Sequence, residues 1–344
     1  MENVLVGVLC KEIIPDLYSP VRNKLPFDLL LFTRRGINWG RGVISGLLLR
    51  KGHWRQGEMP FPDAVYNQLY TRSPALARRL ERVIGRGKVF NILTRFNKLT
   101  THSILANSKL RSLLIPTRPY SEKSLWEMLG SGSVIVKPVY GCNGRNVLKL
   151  ARAGAEYRVF LQSDYDFRTF SRAGELLRWL KKYTGQEDYI LQPFLVFTAL
   201  NGHIFDLRML VQKGGPGGWQ VTATLSRLGF EGYYINNLPW DVRTAEQVLA
   251  SVPCAVSLPQ LKAYAVAVAV SMEKAIGHLG DLSVDFGIVA GRPRLIEVNG
   301  MPQKQVFGKI SVKTLERVLW TPLMYARFLA AANLNYGGGG TWEL

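Results

Sequence analysis

The sequence predicts an α/β chain, with α+β character in places, built from several compact units. Three observations carry this reading. Short apolar runs bounded by turn formers open the chain at residues 4–9 and 29–32, which suits buried strands of an α/β module. Strand-like runs crowd together between residues 133 and 161 and again after 189, which suits antiparallel sheets with covering helices. The chain has 344 residues and 47% hydrophobic content, enough to bury more than one small core.

In chain order, a small amino-terminal α/β domain spans residues 1–95. Near its end Arg72, Arg78, Arg79, Arg82, Arg86 and Lys88 accompany a single acid, Glu81. Leu76, Leu80, Val83 and Ile84 recur there at helical spacing, so Arg78, Arg79 and Arg82 fall on the solvated side of a helix. Around Lys98 the texture turns polar, and a central unit is expected over 96–188. Its strand at 133–138 is stopped by Pro138, and a glycine-containing loop follows. Strands at 147–150 and 157–161 and a helix over 173–183 complete it. A third unit, 189–332, takes strands at 189–194, 205–212, 219–225, 283–289 and 294–298, two of them joined by the glycine-rich hairpin loop 214–218. The alanine-rich run 263–272 is much shorter than the roughly 20 residues a membrane crossing needs, so it reads as a buried helix. The tail 333–344, with Gly337 to Gly340, is too glycine-rich to pack and is expected to be disordered.

Composition narrows the functional classes. Forty-four Lys and Arg against 25 Asp and Glu leave a formal charge of +19, a field that attracts polyanions, nucleotides and acidic substrates without naming one. Cys10, Cys142 and Cys254 are far apart and form no CxxC pair, which argues against a disulfide framework or a cysteine zinc site and fits a reducing compartment. The opening residues lack the pattern of a secretory leader, so a cytoplasmic protein is expected.

The chemistry concentrates in residues 283–300. Two alternating strands flank a Gly-Arg-Pro turn, so a hairpin centred near Gly291 is expected. Symmetric pairing sets Asp285 opposite Glu297, and alternation puts Asn299 on the Glu297 face. Val284 then opposes Val298 and Phe286 opposes Ile296 on the apolar side. Two adjacent carboxylates repel unless a cation lies between them, and hard oxygen donors suit magnesium. A solvent-facing hairpin with incidental acids is the plainer alternative.

Lys137 ends a strand, and the loop after it carries Gly141, Asn143 and Gly144. Such a loop lets backbone N–H groups approach phosphate oxygens while Lys137 supplies a point charge, or it is only a hairpin turn. It is neither a Walker loop nor a dinucleotide fingerprint, because the spacing differs and a strand follows. Asp206 and Arg208 share one face of an otherwise apolar strand; they form a surface pair, or Arg208 stabilises a transferring phosphoryl group.

Together these segments resemble the ATP-grasp superfamily, and more narrowly the YheC/YheD group described as endospore coat-associated proteins. The resemblance rests on Phe61-Pro62-Asp63-Ala64-Val65-Tyr66-Asn67, Phe96-Asn97-Lys98-Leu99-Thr100-Thr101-His102, Asp206-Leu207-Arg208 and the Asp285 to Asn299 hairpin, and reaches to about Leu329. It implies an amino-terminal pre-ATP-grasp domain followed by two subdomains clasping ATP. It makes Lys98 and Lys137 the nucleotide lysines, Gln192, Pro193, Phe194 and Leu195 the link whose backbone receives adenine, and Arg208 the arginine near the γ-phosphate. Many relatives carry an acid where this chain has Gln192. Asp285, Glu297 and Asn299 match the positions that hold magnesium or manganese, and catalysis falls to Arg208 and Lys137. The implied reaction is ATP-dependent joining of a small-molecule or peptide carboxylate to an amine through an acyl phosphate, in a cytoplasmic or spore-associated protein with no membrane partner. Direct phosphoryl transfer, nucleotide binding without turnover, and binding of nucleic acid or another polyanion through the basic surface are the alternatives. Asn67, Lys98 and Arg208 are the residues expected in the substrate pocket. Cys142 and the four histidines are read as non-catalytic.

Overall fold

The computed structural model describes residues 4–141, 144–234, 236 and 239–332. The expected disordered tail, Cys142 and Asn143 lie outside the described residues.

Three sheets organise the chain. The first runs in the order His53–Pro60, Val43–Arg50, Asp28–Asn38, Leu5–Leu9, Ala64–Asn67, Val89–Phe90. Leu5–Leu9 lies parallel to both neighbours, Asp28–Asn38 and Ala64–Asn67. The chain therefore leaves the first strand on one side and returns on the other, creating a switch point beside it. Helix Ala75–Ile84 covers one face with Ala77 and Leu80. Arg78, Arg79 and Arg82 are exposed as expected, but Val83 is also 53% exposed, so the apolar stripe is narrower than its spacing suggests.

The other face is covered by the last helix, Val312–Ala331, through Leu319, Leu323, Tyr325 and Leu329. Its first half instead packs Val318 against Leu210 and Leu225 of the third sheet and Phe307 of the short helix Gln305–Lys309. Sequence order puts this helix in the third unit; spatially it fastens that unit to the first.

The second sheet, all antiparallel, runs Phe167–Phe170, Glu156–Phe160, Leu148–Ala153, Val134–Pro138, Tyr189–Pro193, Arg118–Pro119. Helices Glu122–Ser131 and Ala173–Thr184 bury Leu125, Leu129, Leu176 and Leu180 against it. Opening the third unit at residue 189 needs correction. Strand Tyr189–Pro193 pairs with Val134–Pro138 from Tyr189↔Pro138 to Pro193↔Val134, so it belongs to the second sheet.

The third sheet runs Asp241–Arg243, Trp219–Leu228, His203–Lys213, Asp281–Val289, Arg292–Asn299. Helix Leu258–Ile276 starts at a Ser257/Gln260 capping box and buries Leu261, Ala265, Val268, Ala269 and Met272 on the sheet. Among the described residues no helix is long and apolar enough to cross a membrane.

The hairpin Asp281–Val289/Arg292–Asn299 pairs Asp285 with Glu297 and Val284 with Val298, as the sequence predicts. Its turn is different. Ala290 and Gly291 both take positive φ, 47° and 73°, so Val289 pairs with Arg292, and Arg292 and Pro293 already belong to the strand. Phe286 opposes Leu295, not Ile296, because the register shifts between Asp285 and Phe286. The extra residue, Ile296, offsets the shorter turn and restores the carboxylate pair. Without it Asp285 would face Ile296.

A candidate active site between the second and third sheets

Two adjoining cavities of about 330 and 240 Å³ open between these sheets. Lys98, Lys137, Gln192, Arg208, Glu297 and Asn299 line both. The smaller is also lined by Gly141, Gly144, Pro193, Phe194, Leu195 and Asp285. One cleft thus brings together every residue singled out from the sequence for nucleotide or metal except Asn143, which lies outside the described residues.

Its floor is a cross-strand charge network. Arg208 sits directly opposite Asp285 and binds it through both fork nitrogens, Nε to Oδ1 at 2.8 Å and Nη2 to Oδ2 at 2.7 Å. Asp206 sits directly opposite Arg227 and is held the same way, at 2.9 and 2.6 Å. Arg227 Nη2 also reaches Asp285 Oδ2 at 3.0 Å and joins the two pairs. Asp206 and Arg208 therefore form no surface pair with one another: both are buried, and each is matched across a strand. Arg227 escaped the sequence reading. A buried acid such as Asp206 demands a cation, yet which one answers depends on strand register.

Burial pushes the Asp206 carboxyl up and the adjacent Asp285 adds to this, while Arg227 counteracts. Burial acts on Asp285 in the same direction, but the guanidinium groups of Arg208 and Arg227 outweigh it and hold that carboxyl below the usual range.

Lys98 begins helix Lys98–Ala106, where Asn97 caps the free N–H groups of Leu99 and Thr100. Its ammonium lies 3.0 Å from Glu297 Oε1 and donates to the Gly141 carbonyl at 3.1 Å, tying the loop after Lys137 to the hairpin. Lys137 lies nearby. Burial, reinforced by the charge of Lys98 and opposed by Glu297, lowers its pKa to about 8. Gln192 donates to Thr117 Oγ1 at 2.8 Å, which engages the side chain within the protein.

Asn67 does not reach either cavity. It is buried, donates to the Asn91 carbonyl at 2.8 Å and accepts from Leu69 N–H, so its role is to brace two strand ends of the first sheet. His203 stacks on Trp240 with centroids 4.5 Å apart, and His278 contacts the Tyr325 hydroxyl at 2.7 Å. His102 lines the larger of the two cavities.

The oxygen donors fit a hard divalent cation in kind. Asp285 and Glu297 are register partners, and the Asn299 amide lies 3.5 Å from Asp285 Oδ2. Among the described residues no three His, Cys, Asp or Glu side chains gather into a metal-sized group; the Asn299 amide is the further oxygen donor beside the two carboxylates. Both carboxylates are met here by protein cations, Glu297 by Lys98 and Asp285 by Arg208.

Residues 86–329 match the family model described as YheC/D like ATP-grasp, a span that includes every residue lining the smaller cavity. The chain belongs to this family. Among its YheC/D-like relatives are two from Bacillus subtilis (strain 168). The endospore coat-associated protein YheD is 26% identical over 80% of this chain, and the match spans 65% of YheD, less than two thirds of it. The endospore coat-associated protein YheC is 24% identical over 83% of this chain and 82% of its own length. The ATP-grasp fold is shared with N5-carboxyaminoimidazole synthetase from Staphylococcus aureus complexed with ADP. That match has a TM-score of 0.57 at 9% identity, covering 93% of this chain and 77% of the other.

Proposed function

We propose that this YheC/D-like ATP-grasp protein is an ATP- and magnesium-dependent ligase that joins a carboxylate to an amine through an acyl phosphate. The convergence of Lys98, Lys137, Arg208, Asp285, Glu297 and Asn299 on one cleft supports the reading. In the structure the cations proposed for phosphate and the anions proposed for the metal neutralise one another: Asp285 is matched by Arg208 and Arg227, and Glu297 by Lys98. Nucleotide would exchange these contacts. Phosphate oxygens would be met by Lys98, Lys137 and Arg208, leaving Asp285 and Glu297 as oxygen donors for the metal. Magnesium, held by Asp285, Glu297 and Asn299, would supply charge neutralisation at the phosphate oxygens.

In the reaction, a substrate carboxylate oxygen attacks the γ-phosphorus and ADP leaves. The amine then attacks the acyl carbon, phosphate leaves with its electron pair, and the amine proton passes to solvent or base. Charge spreads over the transferred oxygens, so positioned cations, here Arg208 and Lys137, provide most of the stabilisation and no side-chain nucleophile is needed. The names of the relatives support a spore-coat setting for this activity.

Glu297→Gln keeps the shape and removes the charge. It is expected to lower ADP release, assayed with magnesium and candidate amino acids, by about 100-fold or more without altering the unfolding transition. Release within about threefold of wild type would sink the assignment, and product mass separates ligation from simple phosphorylation.

A further inference from the structure

The larger cavity extends beyond the nucleotide cleft to the carboxyl ends of the parallel strands in the first sheet. Lys11 lies just past Leu5–Leu9, Tyr70 just past Ala64–Asn67 and Thr94 just past Val89–Phe90, and all three line it. This is the switch point of that sheet, where strand order places a crevice able to take a ligand.

The charges there are unequal. Lys11, Lys98, Lys137 and Arg208 line the cavity with a single carboxylate, Glu297. Lys98 is paired with Glu297 and Arg208 with Asp285. Lys137 and Lys11 have no ion pair among the described residues. Behind the mouth the positive field continues. Arg95 lies 5.0 Å from the Tyr70 ring with a buried Nε lacking a hydrogen-bond partner, and Arg72 stacks at 3.9 Å over Tyr140. Phe96, Leu114 and Ile115 give the same cavity an apolar lining, and about 330 Å³ suits a small organic molecule.

We infer that this crevice takes the acceptor acid by a second anionic group: the substrate carries one carboxylate that reacts beside Lys137 and another oxyanion, carboxylate or phosphate, that docks at Lys11. This deepens the ligase reading and rests on it. Lys11 is a specificity residue here, and the apolar lining takes the carbon chain between the two anionic ends.

The test is calorimetry on the whole protein saturated with magnesium and a non-hydrolysable ATP analogue. Glutarate, L-glutamate and 3-phosphoglycerate are compared with butyrate and L-alanine. Dianionic probes are expected to bind at least about tenfold tighter than monoacids, and the better class distinguishes carboxylate from phosphate as the docking group. In Lys11→Glu this preference disappears while the affinity for the ATP analogue stays within about twofold. Equal or undetectable binding of diacids and monoacids by wild type, or an undiminished preference in Lys11→Glu, overturns the inference and leaves the nucleotide reading standing. Failure of wild type to bind the ATP analogue overturns both.

Discussion

At the scale of single residues, the site is decided by which charges water can still reach. Lys137 shows this most directly. Its pKa is lowered to about 8 by burial and by Lys98, so its ammonium is held at some cost. Bound phosphate favours the charged form and draws the pKa back up. Nucleotide binding should then take up a proton above pH 8, with affinity full below that value and weakening as pH rises through it, by at most about tenfold per unit. Titration calorimetry between pH 7 and 9.5, in two buffers of different ionisation enthalpy, reads this directly. Lys137→Met should abolish the proton uptake; pH-independent affinity in wild type would show that the ammonium does not meet phosphate. Lys137, Arg208, Asp285, Glu297 and Asn299 were legible in the sequence because charged and amide residues interrupting apolar strands are conspicuous. Arg227 was not, since Ser226-Arg227-Leu228 reads as an ordinary strand edge until Asp206 is known to sit opposite it.

At the scale of elements, the hairpin carrying the proposed metal donors works through two offsetting irregularities, a two-residue turn and one bulged residue. Symmetric pairing about Gly291 predicts the right carboxylate pair through a wrong turn, since alternation constrains parity and leaves both the turn and the bulge unspecified. Ala290 holds φ at 47°, a region that costs a residue with a Cβ, and Asn-Gly is the favoured pair for such turns. Ala290→Asn should therefore stabilise the protein by roughly 0.5–1 kcal/mol in urea denaturation, with ADP release unchanged. A destabilised variant would indicate that the turn is held by its surroundings rather than by its own torsions. Strand Tyr189–Pro193 illustrates the opposite limit. Its apolar content marked it as a strand, but nothing local says which of two sheets it will join.

At the scale of the whole molecule, the last helix and the first sheet share a core, so separation of the first unit would expose Leu319, Leu323 and Tyr325. His278 lies at this junction against Tyr325, with the Phe90 ring 6.3 Å away. Burial, aided by the charge of Lys213, lowers its pKa to about 4 from 6.5. The folded state therefore favours the neutral ring. Its contribution is complete above pH 6.5 and is lost as pH falls from 6.5 to 4, because the unfolded chain takes up the proton first. The loss is on the order of 3 kcal/mol. Denaturation midpoints across that window should fall in wild type and change less in His278→Asn; parallel curves would rule out this histidine as the source of acid sensitivity.

By itself the sequence determined the α/β and antiparallel textures, the helices with buried apolar stripes, and the set of charged residues that do not belong on apolar strands. These are local periodicities, carried by 3.6-residue and two-residue repeats that any segment displays without its neighbours. Only the tertiary structure decided that Arg208 meets Asp285 and Arg227 meets Asp206, that Ile296 is bulged, and that Asn67 braces strands away from the cleft. It also brought Lys11 to the same cavity as Glu297. Pairing between strands distant in the chain depends on register and sheet order, and those follow from the packing of all three sheets at once.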